Sequence, residues 1–286
     1  MKRTLQEAAR ILGATLVGDD RPFDAVSTDS RTLPAGALFV ALRGPNFDGA
    51  DFAAAACARG AVGAIAERTL GDVALPYIRV PDTLEALQQL ARRWREEFSL
   101  PLVGIGGSNG KTTTKEMTAA ILSRRGSCLS TQGNLNNHIG VPLTLLRLAP
   151  SHHSAVIEMG ANRLGDVAAL VALARPTVGL ITNAGAEHLE GFGDLDGVAR
   201  GEGEMAAGLG AGAVAVINAD DVYAEYWRGV AAGARLVTFG VRADADFKAK
   251  DIVQSIEGGR FATRFTLECP LGAGALAPHA RGAAKN

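Results

Sequence analysis

The sequence predicts an α/β protein in two parts: a small α/β domain over residues 1–81, then a mostly parallel, helix-covered sheet over residues 82–286. Three observations carry this reading. Short apolar runs alternate with segments of helical spacing through the second part. One such run, "VGIGG", opens directly into a glycine-rich turn and a helix pattern, "SNGKTTTKEM". Finally, 47% of the 286 residues are hydrophobic, enough for a sizeable core in two domains of ordinary size.

The elements follow in order. Thr4 and Glu7 form a capping box, Leu5, Ala8 and Leu12 share a face, and Gly13 stops the helix. "GALFVAL" reads as a strand, and "DFAAAACARGAVGAIAE" as helix, glycine stop and strand. Asp82 and Glu85 offer a second capping box. Leu84, Leu87, Ala91, Trp94 and Phe98 then recur at helical spacing, with Trp94 expected in the core. Beyond Leu102 the text alternates: strand "LVGIGG", helix from Thr112 to Arg125, strand "SAVIEMG", helix from Asp166 to Ala174, and strand "TVGLITN". A glycine-interrupted helix from Leu195 to Leu209 and the strands "AVAVINA" and "RLVTFG" complete the pattern. "FKAKDIVQSIE" and "RFATRFTLE" flank Gly258-Gly259 as a hairpin, with Phe261, Thr263, Phe265 and Leu267 on one face.

The formal net charge of -1 argues against a general nucleic-acid binder, so any phosphate site has to be local. Cys57, Cys128 and Cys269 are far apart and form no CxxC pair, which suits a reduced cytoplasmic protein. "MKRTLQEAAR" lacks a signal-peptide pattern, and the richest apolar stretch is cut by Arg175-Pro176.

The glycine-rich turn is the chemical centre of the sequence. Gly106, Gly107 and Gly110 let the backbone turn tightly and aim N–H groups inward, with Ser108 and Asn109 between them. Lys111 supplies a charge for phosphates, Thr112 a hydroxyl for a metal ion, and the helix beginning at Thr112 and Thr113 its positive end. The usual G-x-x-x-x-G-K-[ST] pattern places a glycine where Ile105 stands, so this is a variant phosphate loop. Such a loop serves a GTPase, a kinase or an ATPase motor equally well. Glu158 ends the strand "AVIEMG" and His188 lies just past "TVGLITN". Both fall at the carboxyl edge of the sheet, where ligands bind in open α/β folds. There Glu158 is either a metal-binding carboxylate or a solvated strand-end acid.

At this point the sequence resembles the Mur ligases. "GGSNGKTTTKEM", "TQGNLNNHIGVPLTLL", "VIEMGANRLGDV" and "NAGAEHLEGFGDLDGVA" are similar to that family's central domain, and "STDSRTLPAGALFVALRGPNFDGADF" to its UDP-sugar domain. The likeness runs from about Leu5 to about Leu267 and is greatest to the branch that joins D-alanyl-D-alanine to UDP-N-acetylmuramoyl-tripeptide. It implies ATP-dependent amide formation through an acyl phosphate, in peptidoglycan precursor synthesis. It also implies ATP bound by the loop from Gly107 to Thr113 and Mg²⁺ at Thr112 and Glu158. A second ion falls to His188. Asn134, Asn136 and Asn137 become contacts to substrate or phosphate, or else a capped turn. Ser30 and Arg31 become contacts to the uridine diphosphate end, or else a surface turn. Asn46 and Asp48 are weaker substrate candidates, because Ala50 stands near where relatives carry a histidine. A monomer is favoured, with no nucleic-acid partner and no membrane span.

Two departures from the family pattern stand out. Where relatives carry a carbamylated lysine, this chain has Glu202. It is read either as a carboxylate that replaces the carbamate near the metal, and so a fourth catalytic residue beside Lys111, Glu158 and His188, or as a solvated helix glutamate. Where the family shows Gly-x-His-Asn-x-x-Asn and then a third domain, the text reads "LGAGALAPHARGAAKN", with His279 and Asn286 at another spacing. The expectation is a central domain incomplete at its C-terminal end, no third domain, and an exposed apolar patch in its place. That leaves a non-catalytic nucleotide- and UDP-sugar-binding module as the alternative to a ligase. A folylpolyglutamate or cyanophycin-type synthetase fits the "STDSR" domain poorly, and a GTPase lacks its NKxD motif.

Overall fold

Thr4 and Glu7 close the expected capping box in the computed structural model, which describes residues 2–231, 233–257, 260–270 and 272–276. Glu7 N–H donates to Thr4 Oγ1 at 3.3 Å, and Thr4 N–H to Glu7 Oε2 at 2.9 Å. Helix α1 (Leu5–Leu12) ends on Gly13 at φ 59, whose N–H satisfies two terminal carbonyls. Replacing Thr4 with alanine removes one partner of this box. The expected loss is about 1 kcal/mol of unfolding free energy, read by urea denaturation.

A five-stranded sheet follows, made of β1 (Thr15–Val17), β2 (Ala25–Ser27), β3 (Ala37–Val40), β4 (Gly63–Ala66) and β5 (Tyr77–Arg79). They pair in the order β1-β5-β4-β3-β2, with β1 antiparallel and the rest parallel. Helix α2 (Ala53–Ala58) precedes β4, and Gly60 at φ 97 makes the turn between them.

Helix α3 (Thr83–Arg95) bridges the two sheets. Asp82 accepts from Glu85 N–H at 2.9 Å, but the second capping box is one-sided: the Glu85 carboxylate takes the Gln89 side chain at 3.3 Å instead. Leu87, Leu90, Ala91 and Trp94 are buried, in a single apolar cluster that reaches from Leu5 to Trp227. The helix stops before Phe98, which turns back edge-on to Trp94 with ring centroids 5.2 Å apart. Trp94 Nε1 donates to the Leu148 carbonyl at 3.0 Å. Buried Arg95 donates to the carbonyls of Ala174 at 2.8 Å and Arg175 at 3.2 Å.

The second sheet runs through β6 (Leu102–Gly106), β7 (Cys128–Ser130), β8 (Ser154–Glu158), β9 (Val178–Ile181), β10 (Val214–Asn218), β11 (Arg235–Gly240), β12 (Phe247–Glu257), β13 (Arg260–Cys269) and β14 (Gly272–Leu276). Their order is β7-β8-β6-β9-β10-β11-β12-β13-β14. Pairing is parallel as far as β12 and antiparallel through β13 and β14. The longer helices are α4 (Lys111–Leu122), α5 (Gly140–Leu145), α6 (Asp166–Ala174), α7 (Leu195–Ala207) and α8 (Ala224–Val230). Helix α4 ends earlier than the expected Arg125 because Arg124 and Arg125 N–H bond three residues back, to Ile121 and Leu122.

Other differences have local causes. The glycines of α7 are close-packing positions rather than interruptions: a Cβ on Gly201 would lie 2.4 Å from the Phe192 ring. On β13, Phe261 is 79% exposed while Ala262 is buried, so at that end the covered face is the opposite one. The Gly258-Gly259 turn, His279 and Asn286 lie outside the described residues. An open groove of about 820 Å³ beside the glycine-rich turn is lined by Val178, Val214, Val216 and Val237 together with the polar residues Asn109, Asn183 and Arg235. Among the described residues no helix is long and apolar enough to cross a membrane.

Strand order places the chemistry. The chain leaves β6, fills β7 and β8 on one side, then crosses to β9 on the other. The turn after β6 therefore sits where the order reverses, with the ends of β8 and β9 on either flank.

Candidate active site

The turn after β6 is shaped by what lies beneath it. Ile105 is buried with Ala119 and Val156, so its side chain anchors the loop where other phosphate loops carry glycine. Gly107 adopts φ 112, and a Cβ there would lie 2.1 Å from Thr182 Oγ1 and 2.8 Å from Thr182 N. Gly110, at φ 82, opens α4.

Three loop amides are already engaged within the protein. Gly107 N–H donates to Glu202 Oε2 at 2.5 Å, Ser108 N–H to the Asn183 carbonyl at 2.9 Å, and Asn109 N–H to Asn183 Oδ1 at 3.0 Å. Asn183 Nδ2 returns a bond to the Asn109 carbonyl at 2.9 Å. Gly107, Ser108 and Asn109 thus hold the loop against α7 and the end of β9, with the positive end of α4 beside them. Lys111 Nζ folds over the loop, donating to the carbonyls of Gly107 at 2.5 Å and Ser108 at 2.8 Å and lying 3.3 Å from Glu187 Oε1.

The other flank centres on Glu158, buried at the end of β8. Its Oε2 accepts from Thr112 Oγ1 at 3.0 Å and its Oε1 from Asn136 Nδ2 at 2.9 Å. A carboxylate and a hydroxyl on adjoining elements form a hard oxygen pair of the kind Mg²⁺ takes, with phosphate oxygens and water for its other positions.

Glu202 reaches the loop from α7 and is buried beneath it. Burial pushes its carboxyl up to about 7, against the Gly107 amide and Lys111, which pull it down. His188 is exposed in a left-handed turn at φ 50, ahead of the short helix Leu189–Phe192. Among the described residues no group of three or more His, Cys, Asp or Glu side chains converges on one point. Thr112 and Glu158 come together, Glu202 meets the loop at Gly107, and His188 lies exposed beyond the end of β9.

The asparagine stretch divides. Asn136 holds Glu158, Asn134 is exposed, and Asn137 Oδ1 caps α5 by accepting from the N–H groups of Ile139 at 3.0 Å and Gly140 at 2.9 Å. In the first sheet, Arg31 is exposed and bonded through Nε and Nη2 to the two oxygens of Asp29, each at 2.9 Å. That pairing holds the Asp29 carboxyl down at about 2. Ser30 is half-buried beside it and Asn46 is exposed. Asp48 accepts from Ala50 N–H and from Arg68, each at 2.9 Å, so it serves the turn.

The sequence and the fold have matches among known proteins. Residues 105–273 fit the model of the Mur ligase middle domain, and residues 22–95 that of the Mur ligase family catalytic domain. The chain belongs to the Mur ligase family. It is 46% identical over 270 residues to the UDP-N-acetylmuramoyl-tripeptide–D-alanyl-D-alanine ligase of Escherichia coli K12, an alignment covering 94% of this chain and 59% of the relative. The Bacillus subtilis ligase of the same name is 34% identical over 269 residues, covering 92% and 58%. Among solved structures, MurF from Acinetobacter baumannii superposes with a TM-score of 0.90 at 33% identity, covering 98% of this chain and 61% of that one. MurF from Thermotoga maritima in complex with ADP gives 0.78 at 32% identity, covering 88% and 57%. The chain therefore spans about three fifths of the length of the Mur ligases it matches.

Sequence reasoning about this Mur ligase passed over Lys115, Thr131, Asn183 and Glu187. Asn183 and Glu187 lie in "TNAGAEH", whose glycine and asparagine pattern marks a turn at the sheet edge but not its partner. Lys115 sits in "TTTKEM" like any solvated helix lysine.

Proposed function

We propose that this chain forms the UDP-sugar- and ATP-handling part of a ligase that joins D-alanyl-D-alanine to UDP-N-acetylmuramoyl-tripeptide in peptidoglycan precursor synthesis. The observation that carries the reading is the Thr112–Glu158 pair, 3.0 Å apart at the mouth of a lysine-bearing phosphate loop. The relatives named above bear the ligase name along the whole matched length.

The chemistry couples two anions. The terminal carboxylate of the tripeptide attacks the γ-phosphorus of ATP, giving an acyl phosphate and ADP. The amine of D-alanyl-D-alanine then attacks the acyl carbon, the amide forms, and inorganic phosphate leaves. The first step brings like charges together, so the site has to supply positive charge and hydrogen-bond donors. Lys111 exchanges the carbonyls of Gly107 and Ser108 for phosphate oxygens, and the α4 amides from Gly110 onward point at the same anion. Thr112 and Glu158 would hold Mg²⁺, which supplies charge neutralisation on the phosphates when bound. Asn136 keeps the second Glu158 oxygen in place. At the first sheet, Arg31 can turn from Asp29 to a diphosphate with little cost, because both partners face solvent.

Calorimetric titration of the chain with Mg·ATP and, separately, with UDP-N-acetylmuramoyl-tripeptide tests this. Both ligands bind. Lys111→Ala weakens Mg·ATP by roughly tenfold or more while leaving the UDP-sugar peptide unchanged. Phosphate release that needs both acceptor and amine establishes turnover. Failure of the UDP-sugar peptide to bind would sink the substrate assignment.

A further inference from the structure

Lys115 is one turn beyond Lys111 on α4 and only 1% exposed. An ammonium group in such a place is costly unless it is paired and hydrogen-bonded. Its Nζ donates to the Thr131 carbonyl at 3.0 Å, lies 2.8 Å from Glu116 Oε1, and stands 4.0 Å from Glu158 Oε2. Glu116 is exposed, so that contact is screened by solvent. The buried contacts converge on one acid. Thr131 Oγ1 accepts from Glu158 N–H at 2.9 Å, and Thr131 N–H donates to the Val156 carbonyl at 3.1 Å. Thr131 therefore fixes the Glu158 backbone while Lys115 puts a positive charge behind its carboxylate. Asn136 and Thr112 complete the surround.

We infer that Lys115 is a positioning residue that sets the strength of magnesium-dependent nucleotide binding by holding the Glu158 carboxylate toward Thr112, without itself touching the nucleotide. The geometry separates the two lysines of α4. Lys111 bends back over the loop carbonyls at the mouth of the site, whereas Lys115 is directed inward to Thr131 and Glu158. A charge only 1% exposed that stands 4.0 Å from a single buried acid acts on that acid's orientation. This inference rests on the reading of Thr112 and Glu158 as the metal-binding edge.

The test is a double-mutant cycle read by calorimetry. Wild type, Lys115→Met, Glu158→Gln and the double variant are each titrated with ATP in magnesium and in EDTA, and with UDP-N-acetylmuramoyl-tripeptide as a control for the fold. Lys115→Met weakens Mg·ATP by about tenfold and changes ATP in EDTA less than about twofold. On the Glu158→Gln background the same substitution changes Mg·ATP less than about twofold. Equal weakening with and without magnesium, or full additivity with Glu158→Gln, overturns the positioning role and leaves Lys115 a tie between α4 and β7. Should Lys115→Met not fold, Lys115→Gln retains a donor for the Thr131 carbonyl and carries the same comparison. Absence of magnesium-dependent binding in the wild type itself rejects the metal-edge reading instead, and the inference with it.

Discussion

Gly107→Ala destabilises the protein by roughly 3 kcal/mol or more and abolishes nucleotide binding. Two costs add. An L-residue at φ 112 is strained by about 1–3 kcal/mol. The new methyl also enters occupied space, 2.1 Å from Thr182 Oγ1, 2.8 Å from Thr182 N and 3.0 Å from Asn183 N, which adds an overpacking cost of about 1–3 kcal/mol. The Thr182 hydroxyl can rotate away, but the two backbone nitrogens cannot without moving the segment that pins Ser108 and Asn109. The loop and the end of β9 shift together, and the start of α4 loses its aim. Gly71→Ala is the control. Gly71 has φ 62 but nothing within 4 Å of the added carbon, so that variant pays the left-handed strain alone, about 1 kcal/mol. Urea denaturation of both variants decides the matter. Equal losses would mean that the approach of Gly107 to Thr182 is not what the fold depends on.

Glu202→Gln is expected to stabilise the protein above neutral pH and to do little in mild acid. The folded carboxyl titrates at about 7 against an ordinary 4.5, chiefly because burial disfavours the charged form. Between those values the folded state holds a proton that the unfolded chain has released. The stability tied to this group is intact below about pH 4.5, falls as pH rises, and is lost above about 7. The full swing is about 3 kcal/mol. Glutamine stays neutral throughout and keeps an oxygen for the Gly107 amide, so the melting temperature of the variant overtakes that of the wild type as pH is raised from 5 to 8. A difference that is the same at both pH values would show that protonation of Glu202 is not coupled to folding. With Mg·ATP bound, the same variant also reports on the carbamate analogy. If Glu202 takes part near the metal, its loss weakens nucleotide binding even where it stabilises the apoprotein.

Much of this was legible locally. A capping box, a glycine at φ above zero and an apolar stripe of period 3.6 depend on residues within a turn of each other. α1, α6 and the strand–loop–helix around Lys111 therefore lie close to where the text puts them. The carboxyl-edge positions of Glu158 and His188 followed from strand alternation. What stayed hidden depends on partners far along the chain. Glu202 looks like a helix-surface acid until Gly107, 95 positions earlier, is seen donating to it. Lys115 differs from a solvated lysine only through Thr131 and Glu158. The glycines of α7 look like weak points because Phe192 and Trp227, which need the room, are not visible from α7 itself. Asn137 is the reverse case, where the partners of its Oδ1, the N–H groups of Ile139 and Gly140, lie within three residues.

Helix α3 works as a rigid gauge block. Trp94 and Arg95 bolt its C-terminal end to Leu148 and to the last carbonyls of α6, while α1 packs against the same helix from the first sheet. Those contacts tie the first sheet to the part of the protein that carries Lys111. On the proposed function, a substrate held at one end near Arg31 and at the other near Lys111 would have to match a span that these contacts fix.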